Sequence, residues 1–416
     1  MPMPSMSMPS MPYFFLILIL IYGSICTYIR LKAPFWHSQP VFHIYNLRYW
    51  FNPPGYINKT VPAANKFVNL VNNRLITVAA SDVDSLQIKK ICNFIKDYYV
   101  MHPTAAYKPT EEDILAYLQS TNQPAFFNVY QEPKLLFESG GGLSNSTVDQ
   151  EIIGVASARV LNVTFFKGGN LKNKINVPAY YVDHLCVKPG YRKKGIPPQM
   201  IQTFYYNVAR TNKKVNAYLF KREGKGNLNA IVPLVGFDTY NFSIGQFATA
   251  YVLNPAMSLI EIGAQQLNVF SGFVKEQMPK FECVVLPDVS SVLNLIKLGK
   301  LVIYGILLGG ELLAAYVFRP LELYYGMDKT VECISIISNC KTADVLIAGF
   351  NMSLLKVKNK CKVNILLIEE TAHSPPVIAS LLTNPTVSCN FKSPTAFFFY
   401  NYACHSIKNK KILLVY

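Results

Sequence analysis

Apolar residues recur along this chain with two periods. Between residues 86 and 100, Ile88, Ile91, Cys92 and Ile95 fall at helical spacing, so an amphipathic helix is expected there with that stripe on the core. A second helix is expected from Thr110. Asp113 follows three residues on as the acidic partner of a capping box, ahead of Ile114, Leu115 and Leu118. Residues 126–130, 151–160 and 180–187 read as strands, and 199–210 returns to helical spacing. Pro53-Pro54-Gly55 marks a turn, and the glycine-rich stretch 139–146 marks a loop. Beyond Gly236 the chain offers strands at 301–308, 312–318 and 365–368, helices near 343–356 and 376–382, and closing strands at 396–400 and 411–416. The last of these is apolar to its final residue, whereas chain ends commonly fray. That end is expected inside a sheet, and the mixture of elements reads as α+β.

The first segment follows neither period. Residues 13–29 carry no charge, with Pro12 before them and Arg30 and Lys32 after. This is the short end of what spans a bilayer. No basic region precedes the run, which disfavours a cleaved signal peptide. A disordered Met/Pro/Ser tail over 1–11 and a transmembrane anchor over 12–30 are therefore expected. The basic flank on the C-terminal side places the bulk of a single-pass protein in the cytosol.

Composition narrows the possibilities. The 416 residues suffice for two units, and with 51% hydrophobic and 15% charged residues a large core is feasible. A net charge of +16 calls for an anionic partner: nucleic acid, an acidic membrane surface or a polyphosphate. The lysines at 356, 358, 360, 362, 408, 410 and 411 come without an aromatic stacking motif or zinc knuckle, so nucleic acid is not the expected partner. The 9 cysteines are scattered and odd in number, with no CxxC, which argues against a disulfide framework or a structural metal site.

Chemistry is most legible where the strand Val182-Asp183-His184-Leu185-Cys186-Val187 runs into Arg192-Lys193-Lys194-Gly195-Ile196-Pro197 and then a helix. Such a turn aims backbone N–H groups at one point, and the helix start adds partial positive charge. Gly195 permits a left-handed conformation, and Pro197 fits the first helical turn, where no N–H is required. Three consecutive cations suit a pyrophosphate, although a basic turn of this kind can also be merely solvated. The arrangement resembles the CoA-binding turn R/Q-x-x-G-x-G/A of GNAT-type acyltransferases, with Pro197 in place of Gly or Ala.

Four separated blocks resemble the N-myristoyltransferases. Phe35-Trp36-His37-Ser38-Gln39-Pro40-Val41 is similar to that family's FWxTQPV segment. His184-Leu185-Cys186-Val187 with Arg192 to Pro197 is similar to FLCV…RSKRxAP. Val232-Pro233, Val235-Gly236 and Tyr240 resemble LPxPVGxxxYWH, and Tyr400-Asn401-Tyr402 with 411–416 resembles the closing strands. The resemblance implies two pseudo-equivalent GNAT-like halves, an acyl-CoA-binding half over 31–235 and an acceptor-binding half over 236–416. They would form a saddle-shaped mixed sheet with flanking helices. It also implies a monomer without a prosthetic group that moves a long acyl chain from acyl-CoA, as co-substrate, to the N-terminal amine of a protein.

Residue roles follow from the same resemblance. Phe35, Trp36, Leu185, Cys186, Val187, Arg192, Lys193, Lys194, Gly195, Ile196 and Pro197 would hold the acyl-CoA. The backbone N–H groups of His184 and Leu185 would form the oxyanion hole where the strand bulges. Tyr99, Tyr107, Tyr240 and Phe242 would face the acceptor. Cys186 is expected as a core residue and not a nucleophile, and the His184 side chain as packed or hydrogen-bonded. The main-chain carboxylate of Tyr416 would be the base. In water a carboxyl of pKa about 3.5 takes a proton from an amine of pKa about 8 only uphill, by roughly 6 kcal/mol; burial narrows that gap from both sides. Two departures lie on the acceptor side. Tyr99-Val100-Met101-His102-Pro103-Thr104 lacks the family's acidic run, and Phe242 replaces a histidine. A GNAT-type N-acetyltransferase and a non-catalytic membrane-tethered relative are the alternatives.

Overall fold

The computed structural model describes residues 11–70, 74–100, 102–136, 147–166, 173–224, 230–248 and 251–416. The expected tail, apart from Met11, and the loop 139–146 lie outside these. The first helix, α1 (Met11–Lys32), is long and apolar enough to cross a membrane. Its side chains from Tyr13 to Ile21 are exposed, and Ile29 is buried.

In the body, α2 (Ser85–Tyr98) starts where the Asp84 side chain accepts the Gln87 N–H and buries Ile88, Ile91, Cys92, Phe94 and Ile95. α3 (Glu111–Gln119) opens on the expected capping box between Thr110 and Asp113. Three antiparallel strands follow: β1 (Phe126–Leu136), β2 (Thr147–Phe166) and β3 (Lys174–Val187). α2 and α3 cover one face of these strands, packing on Phe127, Val129, Val155 and Cys186. α4 (Ile196–Thr211) crosses over the other face and leads to β4 (Ala217–Glu223), parallel to β3. Gly154 lets α4 approach closely, since a Cβ there would lie 2.7 Å from Met200 Sδ.

The second half repeats this order. After β5 (Val235–Ser243) come β6 (Val302–Leu308), β7 (Glu311–Tyr325) and β8 (Asp328–Ser338) as an antiparallel meander. The crossover helix α5 (Ala343–Cys361) then leads to β9 (Ile365–Glu369), parallel to β8. A strand of the second half joins the first. β5, which follows the first crossover unit, pairs with β9 of the second; β10 (Ser388–Tyr400) returns to pair with β4 of the first. β5 and β10 pair with each other between them, so one mixed 15-strand sheet flanked by helices results.

The chain's last segment is in a sheet, as its apolar sequence leads one to expect. Ile412–Leu414 lies parallel to Cys283–Leu286, which is itself antiparallel to β2. Residues 412–416 are all buried.

Candidate active site

β3 and β4 pair only from Ala179–Ala217 to Val182–Phe220. Just past that point β3 bulges. Val155 stands opposite Cys186 and Ser157 opposite Asp183, so His184 and Leu185 together face the single residue Ala156. His184 has φ +54°, a left-handed conformation that strains a residue with a Cβ by about 1–3 kcal/mol. Its surroundings hold it there. His184 Nδ1 lies 2.8 Å from Ser157 Oγ, and its backbone N–H donates to Asp183 Oδ1 at 2.8 Å. Tyr99 donates its hydroxyl to the same carboxylate oxygen at 2.6 Å. The His184 ring lies edge-on to Tyr99, at 5.1 Å, and stacks against Tyr107 at 6.2 Å. Burial, with Arg159 and Arg319 nearby, lowers the pKa of His184 against the opposing pull of Asp183. Burial alone would raise that of Asp183, but His184, the Tyr99 hydroxyl and Arg159 hold it far below the usual carboxylate range.

Two cavities meet at this bulge. The parting of β3 and β4 opens an apolar one of about 300 Å³, walled by Val182–Leu185 and Phe220 and floored by Met200, Ile201, Phe204 and Tyr205 of α4. Trp36 lines it too and stacks on Phe220 at 5.9 Å. The second cavity, about 630 Å³, lies on the α2/α3 face and is the more polar of the two; Tyr99, Tyr107, Tyr117, Arg159, Tyr181 and Arg319 are among its walls. Tyr99, Val182, Asp183, His184 and Lys221 line both.

The floor of the polar cavity is a buried charge network contributed by both halves. Lys221 Nζ lies 2.9 Å from Glu369 Oε1 and 3.2 Å from Glu332 Oε1. Arg319 Nε donates to Glu332 Oε2 at 3.1 Å. Burial opposes ionisation of Glu332, but Arg319 and Lys221 hold its pKa down to about 2. For Glu369 burial prevails over Lys221, and its pKa is raised.

Tyr416 joins this network. Its hydroxyl donates to Glu369 Oε1 at 2.6 Å and accepts from Lys221 Nζ at 2.8 Å. Its main-chain oxygen accepts from Arg319 Nη1 at 3.3 Å. Tyr416 lines neither cavity. It stands behind Tyr181, at 5.4 Å between rings, and behind Lys221 and Arg319, all three of which line the polar cavity.

The structure brings some of the expected residues to the cavities and leaves others elsewhere. Trp36, His184 and Leu185 line the apolar cavity, and Tyr99 and Tyr107 the polar one. Phe35 packs edge-on against Trp36 at 5.1 Å. Cys186 faces the opposite side, among the residues covered by α2, where burial pushes its thiol up to about 12. Val187 and Ile196 are buried beside Met200. Arg192, Lys193 and Lys194 are exposed on the turn before α4. Gly195 there has φ +74°, Arg192 Nε donates to Val187 O at 3.2 Å, and Lys194 Nζ sits 4.7 Å from the centre of the Tyr191 ring. Pro197 occupies the first turn of α4. Tyr240 and Phe242 are not at the cavities: Phe242 is fully buried and Tyr240 stacks on it at 6.0 Å. Strand alternation accounts for this, because their neighbour Thr239 is the β5 residue that lines the polar cavity.

Arg159, Lys221, Arg319, Glu332 and Glu369 were not foreseen. For two of them a signal existed: Ala158-Arg159-Val160 and Val331-Glu332-Cys333 interrupt apolar strands with a charge. Such residues are rarely buried unless paired.

No protein-family model and no curated protein sequence matches the chain. Solved structures do. The crystal structure of Saccharomyces cerevisiae N-myristoyltransferase with bound myristoyl-CoA superposes with a TM-score of 0.67 at 12% identity, covering 92% of this chain and 99% of that one. A structure of the same enzyme with bound myristoyl-CoA and inhibitors also gives 0.67 at 12% identity, over 95% and 99% of the two chains. Over nearly the full length of both chains, the fold of this protein is that of these N-myristoyltransferase structures.

Proposed function

We propose that the protein is an acyl-CoA-dependent N-acyltransferase, moving a myristoyl-type chain from CoA to an N-terminal amine of a protein or peptide. One observation carries this reading: an apolar cavity and a polar cavity meet at a bulged strand, and that strand runs into a basic turn and a helix N-terminus. The solved structures of this fold contain myristoyl-CoA. The apolar cavity would take the acyl chain, and the turn at Arg192 to Pro197 the CoA pyrophosphate. The amine would enter through the polar cavity.

In the reaction the amine nitrogen bonds to the thioester carbonyl carbon, and the carbon–sulfur bond breaks. CoA leaves as thiolate. Backbone N–H groups of the bulge stabilise the oxyanion. The amine proton would pass to the main-chain carboxylate of Tyr416, which accepts from Arg319 behind the wall of the polar cavity, and then to the departing sulfur. We place Tyr99 and Tyr107 on the acceptor. The protein works as a monomer held to a membrane by α1, with its catalytic body cytosolic and no nucleic-acid partner.

The apolar lining favours a long chain over acetyl. One observation favours the non-catalytic alternative: the His184 N–H, one of the two donors this reading assigns to the oxyanion, is already engaged by Asp183. The deciding experiment offers the purified protein a glycine-starting peptide with myristoyl-CoA or acetyl-CoA and follows release of the CoA thiol. Release with myristoyl-CoA is expected. Release with acetyl-CoA alone, or with neither, would sink this function.

A further inference from the structure

Every carboxylate and cation in the wall of the polar cavity has a hydrogen-bonding partner within the protein, with one exception. Asp113 is paired with Lys300, Glu223 with Lys221, Glu322 with Lys329, and Glu332 with Arg319. Asp183 accepts from Tyr99 and from the His184 amide. The Arg159 side chain makes no hydrogen bond or ion pair among the described residues, although Asp183 acts on its charge at longer range. It is only 5% exposed, and its Nη2 is fully buried without a partner.

The guanidinium is held in place all the same. It lies between the rings of Tyr117, at 4.8 Å, and Tyr181, at 5.1 Å. Stacking supports its plane and leaves its edge, where the N–H donors are, for another group. A buried cation with unmet donors is costly unless something answers it. Because Arg159 lines the cavity, that something can be a ligand.

We propose that Arg159 binds an anionic group of the acyl acceptor, so that the protein selects amines on chains carrying a carboxylate close to the amine. This rests on the acyltransferase reading above. A guanidinium bonds a carboxylate through charge-assisted hydrogen bonds, which a neutral amide answers less well. Register sets the distance. Arg159 pairs with Tyr181 and Ser157 with Asp183, beside the bulge; two residues along a strand are about 7 Å. An extended acceptor advancing about 3.3 Å per residue would place its acidic side chain within roughly three residues of the reacting amine.

The test uses myristoyl-CoA and peptide pairs that differ only in Glu or Gln at the second, third or fourth position. At one position Glu is expected to be favoured by about 10- to 100-fold in kcat/KM. Arg159→Gln should erase that preference, whereas Arg159→Lys should keep part of it. Equal use of Glu and Gln peptides at all three positions by the unaltered protein would overturn the proposal, as would a preference that survives in Arg159→Gln.

Binding of the same fluorescent peptides to protein loaded with a non-reactive thioether analogue of myristoyl-CoA separates the two readings. A Glu preference in binding without turnover supports Arg159 as anchor and removes the acyltransferase. Turnover without preference does the reverse, and neither binding nor turnover overturns both.

Discussion

Arg319 ties Glu332 to Tyr416. One guanidinium donates to the Glu332 carboxylate through Nε at 3.1 Å and to the main-chain oxygen of Tyr416 through Nη1 at 3.3 Å. Glu332 is 2% exposed, so removing its partner leaves an under-compensated buried charge. Arg319→Met is expected to destabilise the fold by about 3–5 kcal/mol, read from urea unfolding, and to reduce turnover. An Arg319→Met protein that unfolds at the unaltered urea midpoint would show that the contact contributes nothing.

Acid should unpick the same network. The folded-state pKa of Glu332 is about 2, below the ordinary carboxyl value of 4.5. Its contribution to stability is therefore complete above pH 4.5 and is lost as the pH falls toward 2. Thermal melts across that window should show an acid limb that is shallower in Glu332→Gln. An identical limb in both proteins would exclude Glu332 as its source.

The left-handed backbone at His184 gives a steric prediction. His184→Val puts a β-branched residue at φ +54°, and is expected to lower stability by about 1–3 kcal/mol and abolish transfer. His184→Gly fits that backbone and should retain the fold despite losing the bond to Ser157. Should the valine variant match the wild type in melting temperature, the bulge is more pliable than its geometry implies.

Chain-length selectivity is expected to follow the apolar cavity. Ala156 lines it opposite the bulge, and Ala156→Leu would fill part of it at a cost of about 1–3 kcal/mol in stability. A series of acyl-CoAs from four to sixteen carbons should show the optimum moving to shorter chains; an unmoved optimum would place the chain elsewhere.

Adding one residue after Tyr416 should abolish turnover and leave acyl-CoA binding nearly unchanged, because it removes the carboxylate from its place without touching the cavity at β3. Transfer at the normal rate by the extended protein would rule out that base. Removing residues 1–30 should likewise release the protein from membranes, checked by sedimentation with vesicles.

Local signals were legible where one rule dominated. The helix expected over 86–100 is Ser85–Tyr98, and Thr110 and Asp113 satisfy each other as the capping box requires. The strand expected over 180–187 is Lys174–Val187; its first three residues, Lys174-Ile175-Asn176, are exposed and mostly polar, and Pro178 interrupts the run. β5 was missed as a strand because Gly-Phe-Asp-Thr-Tyr-Asn alternates weakly and carries turn-forming residues. It is stabilised by β9 and β10, over a hundred residues away in sequence. At the site, the basic turn is local and could be read, whereas the bulge was expected only from the family resemblance. The charge network was not, since Lys221, Arg319, Glu332 and Glu369 sit on four strands that only the tertiary fold brings together.

The pairing of β10 with β4 ties the two halves together mechanically. Severed between Glu223 and Val235, the N-terminal fragment would bare the flank of β4 and the C-terminal fragment would hold a strand meant for its neighbour. An open flank of that length invites pairing with other chains. Neither piece would work as a free-standing module. Co-expressed, however, they would be driven to reassemble by the very backbone bonds each lacks, making this link a natural place to build a split, reconstitutable version of the protein.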